Sequence, residues 1–134
     1  MPALFLLGLK MSVVLKIIRP GTEFSDIKAA KVVLPAMNGP LTVLEDRAPT
    51  SLLLRNGQIL ALDENNNLIR RFFVQGGMAD VALNVCAVST EVVHAYEDMT
   101  LALAQEYLEK SNTPEVRDFY QLIIDELKTG QKVK

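Results

Sequence analysis

The chain has 134 residues, 49% of them hydrophobic and 22% charged, with a formal net charge of −2. That length suits one domain, or one domain with a small appendage, and it buries enough surface to hold a core without disulfides or metals. A single cysteine, Cys86, excludes an intrachain disulfide framework. A single histidine, His94, leaves a four-ligand zinc site dependent on several carboxylates, and the near-neutral charge argues against a dedicated nucleic-acid binder.

Met1–Lys10 contains a short apolar run, Leu4–Leu9. A spanning helix needs about 20 apolar residues, and no basic residue precedes the run as in a signal peptide. Residues 1–11 are expected to be an N-terminal extension, upstream of the natural start or packing as a tail. From Val13 onward, short apolar segments alternate with turn signals. They are Val13–Ile18, Ile27–Leu34, Leu41–Leu44, Ser51–Leu54, Gln58–Leu62, Leu68–Val74, Met78–Leu83 and Val85–Val88. Pro35–Pro40 reads as a loop. Asn56-Gly57 and Asp63–Asn67 read as tight turns, because Asn and Gly accept positive φ cheaply. Many short strands at this spacing predict a β-sandwich or barrel over residues 12–93. Alternation is imperfect: Val13, Leu15 and Ile17 share one face, but Val14 and Ile18 lie on the other. A half-exposed sheet alternates more cleanly, so part of the outer surface is expected to be covered by a helix or another protein.

Residues 94–134 predict two helices. Tyr96, Met99, Leu103 and Tyr107 follow helical spacing, with Ala104 and Leu108 widening the stripe. Ser111-Asn112 breaks the pattern. Thr113-Pro114-Glu115 then opens a second helix: Thr caps a free N–H, Pro suits the first turn, and Glu complements the dipole. Its stripe is Val116, Phe119, Tyr120, Ile123, Ile124 and Leu127, and Gly130 is the expected stop after about 16 residues. The short connection makes the pair an antiparallel hairpin.

Catalytic constellations are weak. Glu45-Asp46, Asp63-Glu64, Glu97-Asp98 and Asp125-Glu126 are adjacent in sequence, so their side chains diverge and share no reacting atom. Cys86 lies in an apolar run and reads as a core residue rather than a nucleophile. His94, between strand and helix regions, is expected to be satisfied by local backbone groups. Gly76-Gly77 lacks the context of a phosphate loop and reads as a close-packed bend. No catalytic residue, metal or cofactor is expected.

Three stretches, in order and in register, resemble the epsilon subunit of F-type ATP synthases, the equivalent of the mitochondrial delta subunit. The first is Val32-Val33-Leu34-Pro35 followed by Gly39-Pro40-Leu41-Thr42-Val43-Leu44. The second is Arg47-Ala48-Pro49-Thr50 with Leu54-Arg55-Asn56-Gly57. The third is Phe73-Val74-Gln75-Gly76-Gly77-Met78-Ala79-Asp80-Val81. The resemblance implies an N-terminal β-sandwich domain followed by a C-terminal antiparallel α-helical hairpin. It implies a non-catalytic rotor subunit that links the gamma subunit to the membrane rotor ring and couples proton transport to ATP synthesis. It also implies a peripheral place on the cytoplasmic face of a bacterial inner membrane.

Carried over by position, Arg19, Asp46, Arg47, Ala48 and Pro49 are the expected gamma-facing residues, on one side. Met37, Asn38, Gly39, Pro40 and Leu41 are the expected rotor-ring contact. In many bacterial members the helices extend and restrain ATP hydrolysis, which makes Phe119, Tyr120, Ile123, Ile124 and Leu127 the expected regulatory stripe, with the alpha/beta catalytic head as a further partner. Arg47 stands where the family usually has His. Tyr96-Glu97-Asp98-Met99-Thr100-Leu101-Ala102 lacks the arginine of the family's ATP-binding motif, so nucleotide binding is not carried over. The alternative is a stand-alone β-sandwich adaptor or ligand-binding module whose hairpin dimerises.

Overall fold

The computed structural model describes residues 11–23 and 26–133. The extension Met1–Lys10 and the terminal Lys134 lie outside the described residues. In chain order the strands are β1 (Val13–Arg19), β2 (Thr22–Glu23), β3 (Ile27–Ala29), β4 (Lys31–Ala36), β5 (Gly39–Val43), β6 (Thr50–Leu54), β7 (Gly57–Leu62), β8 (Leu68–Val74), β9 (Gly77–Ala82), β10 (Val85–Ser89) and β11 (Val93–Ala95). A 3₁₀ turn (Tyr96–Asp98) leads to α1 (Leu101–Lys110) and α2 (Pro114–Val133).

The strands form two layers joined at one corner. One layer runs β5-β4-β7-β8-β11, and the other runs β6-β9-β10-β1-β2 with β3 also on β1. They connect where Ala36 of β4 pairs with Leu54 of β6, flanked by hydrogen bonds from the Met37 N–H to the Leu53 carbonyl and from the Arg55 N–H to the Pro35 carbonyl. Period-2 alternation places Val13, Leu15, Ile17, Ile59, Ala61, Ala79, Val81, Cys86 and Val88 in one buried cluster between the layers. Fully buried, the Cys86 thiol is pushed up to about 12 by desolvation, as befits an inert core residue.

The single strand expected over Ile27–Leu34 is two strands. The chain pairs with β1 up to Ala29, then crosses at Ala30 to the other layer, where the Ala30 N–H donates to the Leu62 carbonyl at 2.9 Å. The loop expected over Pro35–Pro40 is a two-residue turn, Met37-Asn38, with Pro35 and Pro40 paired across the β4–β5 hairpin. Pro40 is tolerated because β5 is an edge strand that needs no further donor. Pro35 lies on β4 beyond its last pair with β7, and its carbonyl accepts the Arg55 N–H at 2.9 Å. Asn56-Gly57 is not a hairpin turn either, since β6 and β7 belong to different layers. Asp63–Asn67 is a turn as expected: Asn66 has φ +66°, and the Asp63 carboxylate accepts the Asn65 and Asn67 N–H groups at 2.8 Å. The Asn67 N–H is the main reason the Asp63 carboxyl sits below its ordinary range.

Covering one outer face explains the imperfect alternation. Phe72, Phe73 and Val74 are all buried in succession. Phe72 and Val74 join the core between the layers, whereas Phe73 faces a second cluster formed by Met99, Ala104, Phe119, Tyr120, Ile123, Ile124 and Leu127. The helices therefore lie on the β8–β11 layer.

The first helix starts later than its apolar stripe. Tyr96 lies in the 3₁₀ turn and Met99 follows it, and Thr100 caps α1 by accepting the Leu103 N–H at 3.1 Å. Thr113 caps α2 as expected, accepting the Val116 N–H at 3.3 Å. Gly130 does not stop α2, which continues to Val133 as a 20-residue helix. A glycine inside a helix costs about 1 kcal/mol, which biases the end without fixing it.

Candidate interaction surfaces

The helices leave the outer face of the β6-β9-β10-β1 layer bare. Strand register lays Leu53 beside Met78, Met78 beside Ser89, and Ser89 beside Ile18 in one row across that face. Leu53 is 59% exposed, Met78 45%, and the neighbouring Met37 58%. The Met37 N–H donates to the Leu53 carbonyl at 3.3 Å, which ties the β4–β5 turn to the end of the row. Apart from Ser89 the row presents large apolar side chains to solvent, and clustered exposed apolar side chains are the mark of a surface that a partner covers.

At the other end of this layer lies the two-residue β9–β10 hairpin turn, Leu83-Asn84, whose geometry calls for positive φ at both residues. Asp46, Leu83 and Asn84 all have positive φ, at +63°, +53° and +64°, and Leu83 is 92% exposed. The Asp46 N–H donates to Asn84 Oδ1 at 2.7 Å, which locks the segment before β6 against the β9–β10 turn. A hollow of about 380 Å³ lies between Asp46–Pro49 and Leu83-Asn84.

The expected gamma-facing residues do not form one cluster. Asp46, Arg47, Ala48 and Pro49 are exposed at the start of the layer, beside the Val13 end of β1. Arg19 is at the opposite end of β1, roughly 20 Å away along a strand rising about 3.3 Å per residue. There it lines an open cleft of about 830 Å³ with Ile18, Gln75, Gly77, Thr90 and Glu91. One partner meeting both groups has to run along the bare face between them. The expected rotor-ring residues do stay together: Met37, Asn38, Gly39, Pro40 and Leu41 line a groove of about 470 Å³ with Leu53. Leu53, Met78 and Leu83 were not singled out from the sequence, and Ile18 was noted only for its place on the outer face. Their signal was the apolar residue on the wrong face of a strand, visible at Ile18 but lost where β6 and β9 carry mixed side chains.

The expected regulatory stripe is wholly buried: Phe119, Tyr120, Ile123, Ile124 and Leu127 all face the sheet or α1. Polar contacts reinforce the seat. Arg71 lies 3.8 Å above the Tyr96 ring, donates to Gln58 Oε1 at 2.8 Å, and reaches Glu126 of α2 at 3.8 Å. Arg117 of α2 donates to the Leu108 carbonyl at 3.1 Å, closing the hairpin. His94 is satisfied by Tyr120 of α2, Nε2 to Oη at 3.0 Å, rather than by local backbone. Among the described residues no group of three or more His, Cys, Asp or Glu is placed to hold a metal, and no helix is long and apolar enough to cross a membrane.

Comparison with known proteins agrees with this architecture. Residues 12–95 match the family model described as the ATP synthase delta/epsilon chain, beta-sandwich domain. The chain is 29% identical to the ATP synthase epsilon chain of Gluconacetobacter diazotrophicus, over 71% of this chain and 67% of that one. It is 28% identical to the mitochondrial ATP synthase subunit delta of Schizosaccharomyces pombe, over 66% of this chain and 53% of that one. Its fold is similar to a chain in the Euglena gracilis mitochondrial ATP synthase, with TM-score 0.65 and 17% identity over 91% of this chain and 82% of that one.

Proposed function

The chain belongs to the ATP synthase delta/epsilon family, and we propose that it works as the central-stalk subunit joining the gamma subunit to the rotor ring. It is an accessory subunit, peripheral to the membrane and not catalytic by itself. The observation that carries the partner reading is the bare apolar row Ile18, Met78 and Leu53, which no element of the described chain covers. In this reading gamma lies along that face, from Arg19 at one end to Asp46–Pro49 at the other. The rotor ring meets Met37–Leu41 at the corner where the two layers join.

The mechanism is mechanical. A close-packed interior resists shear, and the two contact patches lie on layers packed over one core and joined where Ala36 pairs with Leu54, so torque passes between partners without a flexible joint. The boundary expected between residues 93 and 94 falls later, because β11 (Val93–Ala95) pairs with β8 and belongs to the sheet. The strands through Ala95 form the stiff unit, and α1 and α2 form an arm seated on the opposite face. If the arm extends toward the catalytic head, it must replace the burial of Phe119, Tyr120, Ile123 and Ile124, at about 1.5–3 kcal/mol each. The complex sits on the cytoplasmic face of a bacterial inner membrane, in keeping with the bacterial relatives.

Co-purification tests the reading. Tagged chain co-expressed with gamma is expected to recover it, and Leu53→Lys with Met78→Lys is expected to lose it while the melting temperature holds. Wild-type chain that never recovers gamma overturns the proposal. A hydrolysis assay of the whole complex, with and without residues 113–134, decides whether the arm restrains the head: faster hydrolysis without them is the expected result.

A further inference from the structure

His94 stands on β11 opposite Phe73 of β8, so both side chains project from the outer face of their layer into the seat of the hairpin. The imidazole ring lies 5.5 Å from Tyr107 of α1, and 6.2 Å and 5.8 Å from Phe119 and Tyr120 of α2, measured between ring centres. Tyr107 and Tyr120 stack on each other at 5.0 Å. One side chain of the sheet thus touches both helices at the point where they meet. It is the chain's only histidine, and histidine is the side chain whose charge changes in the physiological range.

We propose that His94 is an acid-sensitive latch: the hairpin stays seated on the sheet while the imidazole is neutral and loosens when the ring takes up a proton. The groups that face the ring come from every element around it. They are Phe73 of β8, Tyr107 of α1, Phe119 and Tyr120 of α2, Arg19 at the end of β1, and Asp98 in the 3₁₀ turn. The Tyr120 hydroxyl serves either form of the ring, donating to a bare nitrogen or accepting from a protonated one, so that bond does not choose between them. The surroundings do. Burial among aromatic rings disfavours the charged imidazole, the Arg19 charge adds to this, and Asp98 opposes it. Burial prevails, and the seated ring titrates below its ordinary range.

The sign follows from proton counting. A released, solvated imidazole titrates near its ordinary value of about 6.5. The seated state therefore holds fewer protons than the released state below that pH. Seating is at full strength above the ordinary value, and it weakens as the pH falls through the seated value. This concerns the hairpin and its own sheet, so it stands or falls separately from the partners proposed above.

The test uses the full chain. Amide-exchange protection is read across Phe119–Leu127 and, as an internal control, across β1 and β10, at about pH 7.5 and about pH 5.5 on either side of the ordinary value. In the wild type, protection in α2 is expected to fall roughly threefold or more at the acid pH, with β1 and β10 unchanged. In His94→Gln and His94→Phe the α2 protection, after correction for intrinsic exchange, is expected to stay flat. Should either variant fold poorly, the wild-type histidine resonance, which has one source, still gives the decisive pKa. Equal α2 protection at both pH values in the wild type, the same fall in a folded variant, or a seated His94 titrating at or above its ordinary value overturns the latch.

Discussion

Gly77 shows how much one residue can state. Its φ is +125°, and a Cβ there would stand 2.4 Å from the Ser89 carbonyl oxygen. Gly77→Ala is expected to destabilise the sandwich by about 2 kcal/mol or more, through both strain and the clash with backbone. A denaturation midpoint equal to wild type would contradict this. The Gly76-Gly77 bend was legible from the sequence because two successive glycines mark backbone that a side chain would block, although the blocking atom, the Ser89 carbonyl oxygen, belongs to β10. The partner of His94 was not, because Tyr120 lies 26 positions away on a different element. Arg47 is exposed beside the β9–β10 turn at the end of the bare face. Arg47→Glu is expected to weaken gamma binding several-fold and to leave the melting temperature nearly unchanged, since exposed charges contribute little to stability. A large thermal loss would give Arg47 a structural role instead.

Elements were legible where their period is carried by buried side chains. Alternation located the longer strands but missed the short β2 and β11, and the stripe Phe119, Tyr120, Ile123, Ile124 and Leu127 located α2. Boundaries set by tertiary structure escaped. The break at Ala30 comes from a strand changing layers, and the short Met37-Asn38 turn comes from Pro35 and Pro40 both being accommodated within the β4–β5 hairpin. The core between the layers includes no helix residue. Deleting Thr113–Lys134 is therefore expected to leave a sandwich that still unfolds cooperatively, with Phe73 newly exposed and the protein more prone to associate. Loss of cooperative unfolding would make the helices part of one core. Thr100→Ala removes the α1 cap and is expected to cost about 1 kcal/mol, read as a small loss of midpoint. No change would mean that the 3₁₀ turn alone fixes the start of α1.

At the scale of the whole molecule, the surplus of apolar side chains on strand faces divides between two covers. The hairpin takes the β8–β11 face, where Phe73 is buried on the side away from the core. The opposite face keeps Ile18, Leu53 and Met78 exposed, with Met37 at its corner. The need for cover could be read from the sequence. Which face the helices take could not, because both layers carry apolar residues on their outer sides. The most direct measurement places a photo-activated cross-linker at Met78 or at Met37 in the assembled complex. Capture of gamma from Met78 and of the rotor-ring subunit from Met37 is the expected result. Capture of only further copies of this chain, or of neither partner from either position, would contradict the stalk assignment of these surfaces.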